Sequence, residues 1–238
     1  MGNRIPIRWA ETSLVLLPGL DGTGELFASA LELDWGGMQP VVCPLPATGP
    51  QDYASLAGSL APRLPEGELV LLAESFSSPL AMHLASHRPG RIRALVLVSG
   101  FCTAPASSGL GWLPLRPMFE VTPPAFFLKR FLTGEQAPQA LLDHLTLVLQ
   151  QTPGATLTER VRVALALLED ECPAPDDLPI LLLQARHDRL IPWETQSRLE
   201  RHFPDAEVDW INGPHLLMQT RTQDCRNAVI RFLAAGQP

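Results

Sequence analysis

Several things are scarce in this chain of 238 residues. Lysine and arginine never form a run, and the net charge is −7. Neither nucleic acid nor an anionic membrane surface is therefore an expected partner. Apolar stretches are short: the one that follows Arg4 and Arg8 runs only from Leu14 to Leu17. That is too little for a signal-peptide core or a spanning helix, so a cytoplasmic location without stable membrane association is expected. Cysteine occurs four times, as Cys43, Cys102, Cys172 and Cys225, without a C-x-x-C. Such spacing reads as reduced thiols, neither a disulfide framework nor a metal site. Internal repeats and low-complexity tracts are absent. What remains is an ordinary globular composition, 46% hydrophobic and 18% charged, at a length suited to one domain with a large core.

The periodicities describe how that domain is organised. Apolar strand candidates are Ser13–Leu17, Pro40–Cys43, Glu68–Ala73, Ala94–Ser99, Ile180–Gln184 and Ala206–Ile211. Several are solid blocks of valine and leucine, as in parallel strands buried on both faces. Helical patterns separate most of them, at Tyr53–Arg63, Phe76–Ser86, Trp193–His202 and Gln223–Ala234. Alternating strands and helices predict an α/β fold with a doubly wound, mostly parallel sheet. One connection, from Gly100 to Ile180, is too long to be a structureless loop. It carries its own helical signals at Phe126–Leu132, Ala137–Gln151 and Thr156–Glu171, the last opening with a Thr156-x-x-Glu159 capping pattern.

The stretch Leu71–Ala85, LLAESFSSPLAMHLA, reads as a buried strand, a sharp turn at Ser75 and an amphipathic helix. That is the context in which a strained turn lifts a serine oxygen clear of the backbone. A serine hydroxyl is a poor nucleophile unless a base takes its proton and fixed donors receive the oxyanion. Both demands have answers elsewhere in the chain. Downstream, the strand at Ile180 runs into a loop carrying Asp188, and the strand at Ala206 runs into Gly213, Pro214 and His215. Upstream, SLVLLPGLDGTGELF is a strand ending in a loop with Gly19, Gly22 and Gly24, where backbone can approach a ligand closely. The backbone N–H groups of Leu20 and Phe76 are the expected oxyanion donors.

On these residues, in the order serine, acid, histidine, the chain resembles α/β-hydrolases of the esterase and lipase type over almost its whole length. In particular it resembles bacterial hydrolases with an LPGLDGTG loop and an AESFSGP-type turn. It departs from G-x-S-x-G at both flanks, with Ala73 and Ser77 in place of glycine, and from a histidine-glycine donor loop, with Pro18-Gly19. The resemblance implies that roughly residues 103–176 form a helical cap within a single domain spanning 1–238. It implies hydrolysis of a small-molecule carboxylic ester through an acyl-enzyme, with Ser75, His215 and Asp188 catalytic and no metal or cofactor.

Each of these residues also has a plainer reading. Ser75 alone would pass for a helix N-cap, and Asp188 for a turn residue. Asp177 precedes its strand and Asp209 lies within one, so neither reaches the catalytic end. His187, beside Asp188, points elsewhere, and His202 sits where a helix dipole favours it. Asp21 either holds the donor loop or caps a turn; Glu74 either adds negative charge near the site or pairs with an arginine, and the residues do not choose. Phe101, Trp112, Phe119, Phe126 and Phe127 are candidates to line an apolar acyl pocket for short to medium chains, or else only pack the cap. The fold also hosts thioesterases for acyl-carrier substrates, for which Arg116, Lys129 and Arg130 would form a basic rim, and non-catalytic small-molecule receptors.

Overall fold

A computed structural model describes residues 11–87, 90–105, 123–175 and 178–235. Six strands, β1 (Thr12–Leu17), β2 (Gln39–Val42), β3 (Glu68–Glu74), β4 (Ile92–Val98), β5 (Ile180–Ala185) and β6 (Glu207–Ile211), form one sheet in the order β2-β1-β3-β4-β5-β6. Every pairing between them is parallel. The strand interiors are so apolar because both faces are covered. Val15, Leu17, Leu69, Leu71, Leu95 and Leu182 pack on one side, and Leu14, Leu16, Val70, Leu72, Val96 and Leu183 on the other.

The principal helices are α1 (Tyr53–Leu60), α2 (Ser77–His87), α3 (Gln139–Gln151), α4 (Gly154–Ala166), α5 (Trp193–His202) and α6 (Thr222–Ala235). Helices α1, α2 and α5 contribute Leu56, Leu80 and Leu199 to the first core layer, whereas α6 supplies Ala228, Val229 and Phe232 to the second. Because β2 lies beyond β1 and β3 lies on its other side, the order in which strands are added reverses at β1. In open parallel sheets that reversal leaves a crevice at the carboxyl ends of the strands. The loop after β1 and the turn after β3 therefore face each other. A methyl group placed on Gly19 would lie 4.0 Å from the Cβ of Ser75.

The connection between β4 and β5 brings its helices back to that edge. A third apolar cluster joins Leu128, Leu142, Leu145 and Val148 of the connection to Leu26 and Leu216 of the sheet-edge loops. The Leu216 N–H donates to the Leu132 carbonyl at 2.9 Å. Hydroxyls do the same on the other flank, where Thr152 donates to the Asp21 carbonyl and Thr156 to that of Ala47, each at 2.7 Å. The Thr156 bond corrects the expected capping box. Helix α4 starts two residues earlier at Gly154, after Pro153, and the threonine hydroxyl is used for docking. The helix also ends at Ala166, with a separate 3-10 turn at Glu169–Glu171. The aromatic segment is an α-turn at Ala125–Leu128 that widens into a π-turn at Lys129–Thr133.

The strongest of these docking contacts is Arg160 of α4, whose side chain is fully buried. Its guanidinium donates to the carbonyls of Leu20 and Asp21 at 2.8 Å each and of Pro46 at 2.9 Å, and Nε donates to Gln51 Oε1 at 2.8 Å. Gly22 lies directly against it, with φ of 73°, and a Cβ there would meet Nη1 at 2.2 Å. Glycine is required at that position for space and for backbone conformation together. Replacing Arg160 with methionine removes four hydrogen bonds, and among the described residues only the carbonyls of Asp21 and Pro46, of their acceptors, keep a second donor, in Thr152 and Gln51. We expect it to lower unfolding stability by about 3 kcal/mol or more, read from urea midpoints, and Gly22→Ala to do comparable damage.

Candidate active site

The turn after β3 is built by hydrogen bonds on both sides. The Ser75 N–H donates to the Val98 carbonyl at 2.8 Å, continuing the parallel ladder one residue past β3, and the Ser78 N–H returns to the Ser75 carbonyl at 2.9 Å. Between these two bonds Ser75 is held at φ of 50°, in the left-handed region. A serine pays for that conformation with strain, and such strain persists only where surrounding contacts over-determine it. Ser77, standing where a glycine is usual, donates its hydroxyl to the Pro18 carbonyl and so ties the turn to the loop after β1. Ser77 and Ser78 both lie in the first turn of α2 and are fully buried.

Three loops then converge. His215 Nε2 is 2.9 Å from Ser75 Oγ, and His215 Nδ1 is 2.8 Å from Asp188 Oδ2. A carboxylate only accepts, so Nδ1 carries the proton and donates to Asp188. The neutral ring then offers the Nε2 lone pair to the Ser75 O–H. Asp188 is aimed by its own loop, where Oδ1 accepts the N–H groups of Leu190 and Ile191 at 2.8 Å each. The backbone of His215 is fixed as well, since Ser99 Oγ donates to its carbonyl at 2.7 Å. Burial pulls the imidazole's proton affinity down. The Asp188 charge, the Asp188 hydrogen bond and the Glu74 charge outweigh it, so His215 titrates above its ordinary value.

Sequence reasoning missed Arg160, Ser99 and the hydroxyl of Ser77. Arg160 reads as one polar residue of an amphipathic helix, and a serine at a strand end has no distinguishing neighbour. The open cases resolve differently. Asp21 holds its loop: Oδ2 accepts from Thr23 N and Thr23 Oγ1 at 2.9 and 2.7 Å. Among the described residues Glu74 pairs with no arginine; Gln219 Nε2 donates to its Oε2 at 3.1 Å. Asp209 forms an exposed ion pair with Arg231 at 2.6 Å, and His187 meets Asn212 Oδ1 at 2.7 Å. Phe101 is buried in the same apolar layer as Phe76. By contrast, Phe126 and Phe127 are 71% and 40% exposed, so neither presents a buried pocket wall. Trp112, Phe119, Arg116 and Asp177 lie outside the described residues.

All four cysteines are free and buried. Among the described residues, one group of potential metal donors, Cys102, Glu169 and His202, falls within 4.8 Å of one another. Burial and then the Glu169 charge push the Cys102 thiol up to about 12, so the free thiol stays protonated. No helix among the described residues is long and apolar enough to cross a membrane.

The family model described as "Serine aminopeptidase, S33" matches residues 49–217, well over half of the chain. The chain belongs to this family of α/β-hydrolases. A curated relative from Azorhizobium caulinodans, provisionally named carbamate hydrolase RutD, is 28% identical over an alignment of 155 residues that covers 57% of this chain and 55% of that protein. The chain thus spans about half the length of the curated relative it matches. Among solved structures, an enol-lactonase from Burkholderia xenovorans superposes with a TM-score of 0.75 at 15% identity, over 96% of this chain and 94% of that one. An esterase from Exiguobacterium antarcticum gives 0.74 at 13% identity, over 94% and 92%. At such identities the likeness establishes the α/β-hydrolase fold.

Glu74 makes this hydrolase's stability depend on pH. Burial raises its carboxyl from 4.5 to about 7, against the opposing pulls of Gln219 and His215. A group that binds its proton more tightly when folded stabilises at low pH and loses that contribution as pH rises through the folded value. The interval of about 2.5 units is worth about 3 kcal/mol, at roughly 1.4 kcal/mol per unit. Wild-type stability should therefore decline between pH 4.5 and 7 by an amount of that order. Glu74→Gln should flatten most of that slope, as followed by urea denaturation across that range.

Proposed function

We propose that this α/β-hydrolase cleaves carboxylic esters of small molecules through an acyl-enzyme formed on Ser75. The observation that carries the reading is the hydrogen-bonded line from Ser75 Oγ through His215 to Asp188, with the serine held at positive φ at the end of β3. His215 Nε2 takes the hydroxyl proton as Oγ attacks the ester carbonyl. Asp188 stabilises the imidazolium that forms and keeps the ring in its tautomer. The N–H groups of Leu20 and Phe76 receive the oxyanion. Their loops are tied to each other by Ser77 and to α4 by Arg160, so the donors are in place before charge develops. The alcohol leaves with the proton from His215. Water enters, gives a proton to the same nitrogen and attacks the acyl-enzyme, and the acid departs as His215 returns that proton to Ser75 Oγ.

The α3–α4 segment serves as a cap over this edge, and the acyl chain lies against Phe101 and the apolar layer it shares with Phe76. An uncharged apolar wall of this kind favours short to medium chains. Nothing in the chemistry requires a metal or a cofactor, and Asp188 and His215 suffice for both half-reactions.

Nitrophenol release from esters running from acetate to palmitate tests this reading. Ser75→Ala should lower kcat by about four to six orders of magnitude, and Asp188→Asn by about four. The rate should peak at short or medium chains. A well-folded Ser75→Ala protein with full activity, or a wild type inert towards every ester, would sink the proposal. A flat profile across chain lengths would remove only the acyl-pocket part.

A further inference from the structure

Glu74 sits one residue before Ser75, at the last position of β3, and is almost fully buried. Side chains alternate along a strand. Glu74 therefore shares the face of Val70 and Leu72, the layer that also holds Leu217, Met218 and Cys225, while Ala73 belongs to the opposite layer. Its carboxylate reaches under the loop that carries the histidine. Gln219 Nε2, four residues past His215, donates to Oε2 at 3.1 Å. The other oxygen, Oε1, finds no hydrogen-bond partner among the described residues. The titratable groups that act on Glu74 are His215 from the loop after β6 and Asp21 from the loop after β1, with Cys225 of α6 on its other flank. The arrangement leaves Glu74 as a buried carboxyl close enough to His215 for its charge to favour the imidazolium.

We propose that Glu74 is a positioning residue: its carboxylate braces the loop presenting His215 and supplies a second negative charge behind the imidazolium. The inference rests on the reading of His215 as the base. Asp188 orients the ring and neutralises it from Nδ1, while Glu74 acts through space and makes no contact with substrate. Because burial brings the Glu74 carboxyl to about 7, its charge is full only on the alkaline side of neutrality. As pH falls, Glu74 takes up a proton, the second charge fades and His215 becomes harder to protonate. Coupling of that kind spreads the titration of both groups over a wider range than a single proton would occupy.

Glu74→Gln separates charge from brace, since its amide oxygen still accepts from Gln219. The experiment is an NMR titration of the His215 ring in wild type and Glu74→Gln, followed by the pH dependence of kcat/KM for both. The variant should titrate at lower pH, by on the order of half a unit to one unit, along a sharper, single-proton curve. The acid limb of kcat/KM should move with it, since the base works only when neutral. Glu74→Ala, which loses the brace as well, should lower kcat further than Glu74→Gln does. A His215 titration in Glu74→Gln that overlays the wild type overturns the inference, because a purely structural glutamate would leave it unmoved. The ring titration needs no substrate, so an inert enzyme whose His215 still shifts would count against the ester reading and leave this one standing.

Discussion

Parallel strand pairing is the constraint on which the site depends. Strands β3, β4 and β5 end side by side, and each ladder runs one residue past its strand: Ser75 N–H to the Val98 carbonyl, Ser99 N–H to the Leu183 carbonyl, each 2.8 Å. Those two residues are the only non-glycine ones with positive φ among the described residues, at 50° and 47°. Left-handed backbone at a non-glycine residue costs on the order of 1–3 kcal/mol. The ladder on either side of each residue absorbs that cost. One serine is thereby turned towards His215 Nε2, and the other donates to the His215 carbonyl. The same extended ladder positions the hydroxyl and the backbone of the group that would take its proton.

Two buried ionisable residues flank this edge and meet opposite fates. Arg160 keeps its charge: burial lowers it only to about 10. Its planar fork meets three carbonyls and one amide oxygen, so most of its donors have partners. Glu74 is as deeply buried but accepts from a single side chain, and its carboxyl rises to about 7. Desolvation penalises both ions; the number of well-aimed partners decides which one stays charged. The consequence is an asymmetric edge. One flank is clamped at every working pH, and the other changes its charge near neutrality.

Much of the fold was legible because its signals are local. All six strands and α1, α2, α5 and α6 lie within two or three residues of the patterned segments, since blocks of valine and leucine bounded by glycine and proline have few other uses. The loop residues Ser75, Asp188 and His215 were legible through order and context: each follows an apolar strand, and parallel strands deliver their following loops to one edge. The insertion was harder. Its helices were visible as periodicity, but Thr156 resembled a cap and proved to be a docking hydroxyl. The aromatic pair Phe126 and Phe127 could be read as pocket lining or as cap packing; Phe126 is 71% exposed, and Phe127 packs against Phe131. Apolar side chains announce burial only when something on the far side covers them.

Sequence by itself thus determined the class of fold, the order of its elements and the identity of the three polar groups that meet, because each is written in a short run of neighbours. Tertiary structure alone decided what supports them. Arg160 meets Leu20 across 140 positions, Glu74 meets Gln219 across 145, and Ser99 meets His215 across 116. Periodicity reports which face of a helix or strand is covered. It carries no record of which polar atom waits on the other side, and that pairing exists only once the sheet has brought distant loops to a common edge.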